Sequence, residues 1–481
     1  MTHLDLCGCP VTSDTPAARE GWNRLTRSFL SHDAKAGDDL ASTLKDDPQF
    51  ALAQACRGIF SLLLGRRELT QTAQEAYDAA RLSLRHADHD ARSQAYTDAL
   101  GHYLDGHLFQ AADVLDHWLT KSPHDLVAVK LSHAIRFMMG DLSGMRRSLE
   151  MVRPAYGNAT RLDGYFNGCY AFALEETGAY TEAEKAGRRA LELAPDDAWG
   201  LHAVAHVFDM TTRAGDGVRW LERRTDAWRH CNNFRYHVWW HLALFYLDAG
   251  DYAEVLRLYD EEIRQDRTDD YRDISNGASL LSRLEIEGVD IGDRWEELAT
   301  LSEARVEDGC AVFADLHYML SLIGGDRIDA AGQLLSRMRA DACRSMTDMD
   351  RVADHPGLNA AAGLMAFGEG HYTNAHANLS AAHRALQNIG GSHAQRDVFE
   401  RITVEAALRA GALDDARLLL ETRDARRADA DAFTRSRLAT IDALRHEDAT
   451  SDPTIRTVKP VSSRTRPSVV EPALAAGFDG W

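Results

Sequence analysis

Six short phrases of the chain share one design: LDGHLFQAA, MMGDLSGMR, ETGAYTEAE, DAGDYAEVL, GEGHYTNAH and RAGALDDAR each set a glycine before an apolar residue and a small-residue, helix-forming run. A glycine in that place marks a turn between helices, because glycine takes a left-handed backbone at little steric cost. Taking Gly65, Gly106, Gly140, Gly178, Gly215, Gly250, Gly288, Gly325, Gly370 and Gly411 as successive turns gives intervals of 34 to 45 residues. That spacing lies near the tetratricopeptide period of about 34 residues, with insertions. A chain so punctuated grows by stacking helix pairs, none of which can bury its apolar face alone.

The clearest copy, residues 164–197, reads GYFNGCYAFALEETGAYTEAEKAGRRALELAPDD. Ala171, Ala183 and Ala190 are small where helices approach closely, Gly178 makes the turn, and Pro195 closes the second helix, as Pro48 and Pro123 do in earlier units. Almost no segment alternates with the period of two that a strand needs. The expected fold is therefore all-α, a tetratricopeptide-like superhelix (an α-solenoid) over residues 1–446, with the first helix of each pair lining the concave side. The stretch SMTDMDRVADHPG, residues 345–357, reads as a long loop between repeats, and residues 447–481 read as a disordered tail rich in Ser, Thr, Pro and Arg.

Charge narrows the function classes. Lys and Arg total 54 against 74 Asp and Glu, a net of −20, so the field of the whole protein repels nucleic acid and anionic membrane surfaces. The opening MTHLDLCGCPVT lacks a basic and then apolar leader, and no run approaches the roughly 20 apolar residues of a membrane span. The expectation is a cytoplasmic protein with neither nucleic acid nor membrane as partner; the sequence sets no oligomeric state. Seven scattered cysteines suit reduced, buried thiols, and Cys7-Gly8-Cys9 alone is a weak metal signal.

Two apolar segments carry the chemistry. LHAVAHVFDM holds His202 and His206, and YHVWWHLALF holds His237 and His241. Spacing of i, i+4 puts both rings of a pair on one helix face, and neighbouring first helices pack about 10 Å apart, so four imidazoles can converge. If Gly215 and Gly250 are equivalent turns, the two pairs occupy equivalent places in adjacent repeats. Such a set suits a divalent transition metal, zinc, iron, nickel or copper, as ligands His202, His206, His237 and His241. Glu175 and Glu176 end the preceding first helix, where an inward carboxylate supports an imidazole or acts as base. Asp315 and His317 lie in FADLHYML, and His393, Arg396 and Asp397 in GGSHAQRDVF; a superhelix can bring these to the same cavity, with Arg396 clamping a substrate carboxylate.

Plainer accounts stand beside each of these. A histidine on an apolar face is commonly a hydrogen-bonded core residue. Ser392-His393-Ala394-Gln395 matches a capping box that merely starts a helix, and Glu175 and Glu176 can be a solvated helix end. Trp239 and Trp240 cannot face the same way, so one packs in the core while the other, Trp240, can stack on a ligand. No HExxH, G-x-S-x-G, Walker or dinucleotide motif is present, and the Gly324-Gly325 and Gly390-Gly391 pairs are explained by turns.

At YAFALEETGAY, GRRALELAPDDAWGLHAVAHV, YHVWWHLALFYLDAGDY and GGSHAQRDVFE the chain resembles the tetratricopeptide repeat protein 38 family, over a span from DLCGCPVT to about Arg423. The resemblance implies an all-helical superhelix and points to His202, His206, His237, Trp240, His241, Asp315, His317, His393, Arg396 and Asp397 as the family's motif positions. It brings no settled reaction. DARSQAYTDAL, residues 90–100, departs from the family by lacking a Glu and a His there, which puts any role of that helix in a shared site in doubt. Two functions follow. One is an enzyme that binds and transforms a small molecule with metal assistance; the other is a scaffold holding a partner peptide in the groove.

Overall fold

The computed structural model describes residues 3–85 and 90–450, with side chains to residue 446. Among them the only strands are His3–Leu4 and Pro10–Val11, a two-residue antiparallel pair that pins the N-terminus. Everything else regular is helical, and the helices come in antiparallel pairs: Arg161–Glu176 with Tyr180–Leu193, Ala198–Met210 with Ala214–Glu222, Phe234–Asp248 with Tyr252–Leu258, and so on to His393–Arg409 with Leu413–Asp424. The fold is the expected tetratricopeptide-like superhelix. A last helix, Ala432–Thr450, follows, and the tail expected beyond it lies outside the described residues.

The two helices of a pair have different environments. Arg161–Glu176 buries 13 of its 16 residues, whereas its partner Tyr180–Leu193 buries only Ala183, Gly187 and Ala190. First helices are therefore interior and second helices form the outer wall, which explains why the first helices tolerate apolar residues on every face. Glycine turns in the left-handed region join them at Gly106, Gly140, Gly178, Gly250, Gly288, Gly370 and Gly411. Two expected turns differ. Thr212 (φ 53°) and Asp326 (φ 58°) take the left-handed position, while Gly215 sits inside Ala214–Glu222 and Gly325 only caps its helix at φ −89°.

The stretch 345–357 is also not the loop its composition suggested. Thr347 and Asp350 form a reciprocal cap on the helix Asp348–Val352, and the chain then kinks at His355, whose backbone is extended (φ −146°, ψ 120°), before the helix Leu358–Gly368. The Asp348 amide donates to the Gly106 carbonyl at 2.9 Å, a contact across more than two hundred residues that sequence-local reasoning does not reach.

That contact belongs to a series. Asn232 N–H donates to the His32 carbonyl at 2.8 Å, Arg305 to Glu68 at 2.7 Å, Gln387 Nε2 to the Gly140 carbonyl at 2.8 Å, and His393 N–H to Glu176 Oε1 at 2.9 Å. Ala428 N–H reaches the Met210 carbonyl at 3.1 Å. The inter-helix turns of one superhelical winding thus rest on the next winding. The concave side, open in a loosely wound solenoid, is largely an interior here.

Candidate metal centre

His202 and His206 ride on Ala198–Met210, whose start is fixed by Asp197 accepting from the Gly200 amide at 3.2 Å. Close approach to the preceding first helix depends on Gly168: a Cβ there would lie 2.1 Å from Asp197 Oδ2. His237 and His241 ride on Phe234–Asp248, whose first amide donates to Asn232 Oδ1 at 3.0 Å. The loop before it is held by His32 from the neighbouring winding.

The four Nε2 atoms converge. His206 Nε2 lies 2.9 Å from His202 Nε2, His202 Nε2 lies 3.0 Å from His237 Nε2, and His237 Nε2 lies 3.2 Å from His241 Nε2. The pairs do not occupy equivalent repeat positions, however. His237 precedes the left-handed Gly250 by thirteen residues and His202 precedes the left-handed Thr212 by ten. A three-residue offset rotates a helix position by only about 60° from full turn, so both pairs still face one another across the helix interface.

Aromatic walls hold the rings. Phe172 stacks on His202 with centroids 5.5 Å apart, Trp240 stacks on His237 at 5.2 Å, and Trp199 and Phe234 lie 5.0 and 5.2 Å from His202. Trp240 is itself anchored through Nε1–H to Ser279 Oγ at 3.1 Å and is fully buried, so it supports the centre from behind. Trp239 turns the other way, against Trp228. His237 Nδ1–H donates to Asn276 Oδ1 at 2.9 Å, which leaves its Nε2 lone pair pointing inward. Burial pushes His237 down to about 4, and burial together with neighbouring imidazoles holds His202 and His241 well below the ordinary histidine range. His206 is held low by burial and by His237 and Arg396. The rings are neutral, the state that ligates metals.

Proton counting identifies the difficulty this leaves. Each Nε2 has one in-plane position, filled by a proton or a lone pair. Three contacts form a chain His206–His202–His237–His241, so the two middle nitrogens each face two neighbours. Unshared hydrogen bonds can satisfy at most two of the three. A single cation at the centre accepts all four lone pairs at once. Zn–N bonds of about 2.0 to 2.1 Å imply nitrogens about 3.3 Å apart in a tetrahedron, close to the distances seen.

The surrounding groups fit the same occupant. Glu175 is fully buried and neither carboxylate oxygen has a hydrogen-bond partner, yet Oε2 lies 3.5 Å from His206 Nδ1. Burial, and then the charge of Glu176, push Glu175 well above the usual carboxylate range. Glu175, Glu176 and His206 form a second group of potential ligands, joined to the tetrad through the opposite nitrogen of His206.

The remaining candidates divide between a group bordering the tetrad through Glu176 and others committed to separate structural pairings. Glu176 Oε1 accepts from the His393 amide, and Arg396 donates to Glu176 Oε2 at 3.4 Å, to the Gly391 carbonyl and to His393 Nδ1 at 3.2 Å. These residues clasp two windings together, and Arg396 is committed to protein acceptors rather than held open as a clamp. The Ser392–Gln395 capping box is present in full. Asp315 pairs with Arg337 at 2.5 Å on the outer side, while His317, about 200° round the same helix, donates from Nδ1 to the Phe313 carbonyl at 2.7 Å. Its ring packs between Phe313 and Phe399. Asp397 is the hub of an arginine network, 2.6 Å from both Arg401 and Arg423. Arg92 of the 90–100 segment likewise serves structure, bridging Asp5 at 2.7 Å and Asp125 at 2.8 Å. Asn276, Phe172, Trp199 and Phe234 were not anticipated; the FRYHVWW run was the one local hint of an aromatic wall.

The helix pairs and their closed winding define a helical-repeat protein of the tetratricopeptide type. No family model matches the chain. Among solved structures it is similar to yeast Tom70, at 12% identity over 90% of this chain and 89% of that one, with a TM-score of 0.35. It is also similar to the human IFIT1 dimer with PPP-AAAA, at 14% identity over 90% of this chain and 96% of that one, with a TM-score of 0.39. The fold assignment rests on the helix pairs themselves. Among the described residues no helix is long and apolar enough to cross a membrane.

Proposed function

We propose that this chain binds a divalent first-row transition metal, zinc, iron, nickel or copper, through Nε2 of His202, His206, His237 and His241, and uses it in the chemistry of a small molecule. The observation that carries the reading is the convergence of four neutral, buried Nε2 atoms whose contacts protons cannot satisfy pairwise. When bound, such a metal supplies Lewis acidity toward a carbonyl or a bound water. Asn276 orients His237, and Glu175 stands beside His206 to offset the charge of the cation.

The small-molecule part rests on the surroundings of His237, the one member of the tetrad that is not fully buried. His237 is half-buried, and so are His32, Trp199 and Phe234 around it. His32 stacks against Phe234 at 4.6 Å and Trp199 at 5.5 Å. Aromatic surroundings of this kind favour a compact, largely apolar ligand over an extended peptide. The resemblance to the tetratricopeptide repeat protein 38 family picks out the same histidines.

The fold class supports a second reading, a partner-binding scaffold in which the imidazoles are a polar lining. Elemental mass spectrometry on protein purified without an affinity tag separates the two. Near-stoichiometric metal in the wild type, lost in His202→Ala/His237→Ala, is the expected result. Absence of metal from the wild type, with no uptake on titration with zinc or iron(II), would overturn the metal centre and leave the scaffold.

A further inference from the structure

The segment RAGDGVRWLERR, residues 213–224, concentrates four arginines in a chain of net charge −20. The structure brings a fifth, Arg188, to them. Together with Phe208, Asp216 and Trp220, these arginines line an open cavity of about 440 Å³ on the outer wall, between the second helices Tyr180–Leu193 and Ala214–Glu222. The size suits a small-molecule ligand.

Charge in this cavity is not balanced by the protein. Glu184 takes Arg188 at 2.7 Å and also Arg213, and Asp216 takes Arg219. Glu222 is turned to the Tyr246 hydroxyl, which donates to it at 2.6 Å. Among the described residues no carboxylate lies within ion-pair distance of Arg223 or Arg224. Five arginines against Glu184 and Asp216 leave three positive charges. Burial, and then the neighbouring charges of Arg188 and Arg223, push Arg224 below the ordinary guanidinium value, the mark of cations crowded without a counter-ion.

Three of the five guanidiniums, those of Arg188, Arg213 and Arg224, rest on aromatic rings. Trp220 is buried and anchored by Nε1–H to the Leu201 carbonyl at 3.0 Å; Arg224 lies 3.8 Å and Arg188 4.6 Å from its ring centroid. Arg213 lies 4.6 Å from the Phe208 ring. Stacked guanidiniums lose little freedom on binding and keep their N–H edges for oxyanions, which they meet in paired fashion. The aromatic faces are occupied by these cations, so the ligand is recognised by its charge.

From the cavity, the three unmatched charges and the stacked guanidiniums, we infer that this outer pocket is a binding site for a diphosphate group, either free or carried by a nucleotide. The inference is independent of the tetrad, whose histidines are carried by the first helices Ala198–Met210 and Phe234–Asp248 and do not line this cavity.

Titration calorimetry of the full chain at about 0.1 M salt tests it, with pyrophosphate, ATP and orthophosphate as probes. Saturable pyrophosphate binding, at least about 10-fold tighter than orthophosphate and weakened 10-fold or more in Arg223→Ala/Arg224→Ala, is expected. Arg257→Ala, which breaks an exposed pairing with Glu254 and Glu261 and does not line the cavity, should bind as the wild type does. ATP binding tighter than pyrophosphate identifies a nucleotide as the source, and equal affinities identify the diphosphate alone. No saturable binding, or binding that the double substitution leaves unchanged while circular dichroism shows the fold intact, overturns the site.

Discussion

Two buried polar clusters of this protein, one of carboxylates and guanidiniums and one of imidazoles beside a glutamate, differ in how completely they are satisfied. Around Asp397, one carboxylate meets Arg401 and Arg423 at 2.6 Å, with Arg283 and Arg427 at 3.7 Å, and Asp431 shares Arg423. Positive and negative groups alternate, and the cluster closes on itself. Around His202 the nitrogens face one another, and His202 Nδ1, His241 Nδ1 and both Glu175 oxygens find no hydrogen-bond partner. The first is satisfied by groups of the chain itself, whereas the second keeps buried polar atoms without a hydrogen-bond partner. Buried unsatisfied polar atoms in a well-packed interior call for such an explanation.

Breaking the satisfied cluster gives the largest effect. Asp397→Asn leaves several buried guanidiniums without their hub and should destabilise the fold by about 3 kcal/mol or more, seen as a lower unfolding midpoint in urea. An unchanged midpoint would show that the network is not a stabilising one. The pH dependence sharpens the point. Burial favours the protonated acid, but Arg423, Arg401 and Arg427 override it and hold Asp397 well below its usual range. A carboxylate lowered by folding contributes stability above its unfolded value of about 3.9 and loses it as pH falls toward the folded value. Below about pH 4 the wild type should therefore lose stability more steeply than Asp397→Asn.

The imidazole cluster should respond in affinity rather than in folding. Glu175→Gln keeps the shape but removes the carboxylate beside His206, and a supporting group of this kind is worth about 10- to 100-fold in metal affinity. Competition against a chromophoric chelator reads this directly; equal affinities would detach Glu175 from the centre. The smallest effect belongs to Trp240→Phe, which keeps a ring against His237 and loses the bond to Ser279. A loss of about 1 kcal/mol of stability, with metal stoichiometry kept, is expected in thermal melts. Loss of the metal itself would make Trp240 far more than a support.

The helix pairs were legible because glycine turns and all-round apolar first helices are local signals. Thr212 was not, since a β-branched side chain disfavours a left-handed backbone, and its turn was read three residues late at Gly215; at Asp326, a type that does tolerate that backbone, the adjacent Gly325 drew the reading one residue early. The histidine pairs survived that error because i, i+4 spacing is local and the offset preserves the face. Asp315, Arg396 and Asp397 were grouped with the tetrad because charge in an apolar helix attracts notice, but their partners Arg337, Glu176 and Arg423 lie 22, 220 and 26 residues away. Sequence shows that such a residue needs a partner and not which one it has. Asn276 gave no signal at all.

The resting of one winding upon the next changes how the array holds together. In an open repeat array each unit leans only on its neighbours in sequence, so the ends can be trimmed and the middle persists. Here Gly106 is tied to Asp348, Gly140 to Gln387 and Glu176 to His393, so most units have further neighbours far along the chain. The lattice is two-dimensional, like bricks in courses rather than beads on a string. Shortening it from either end would strip support from repeats far along the chain, and the chain should melt as a single cooperative unit.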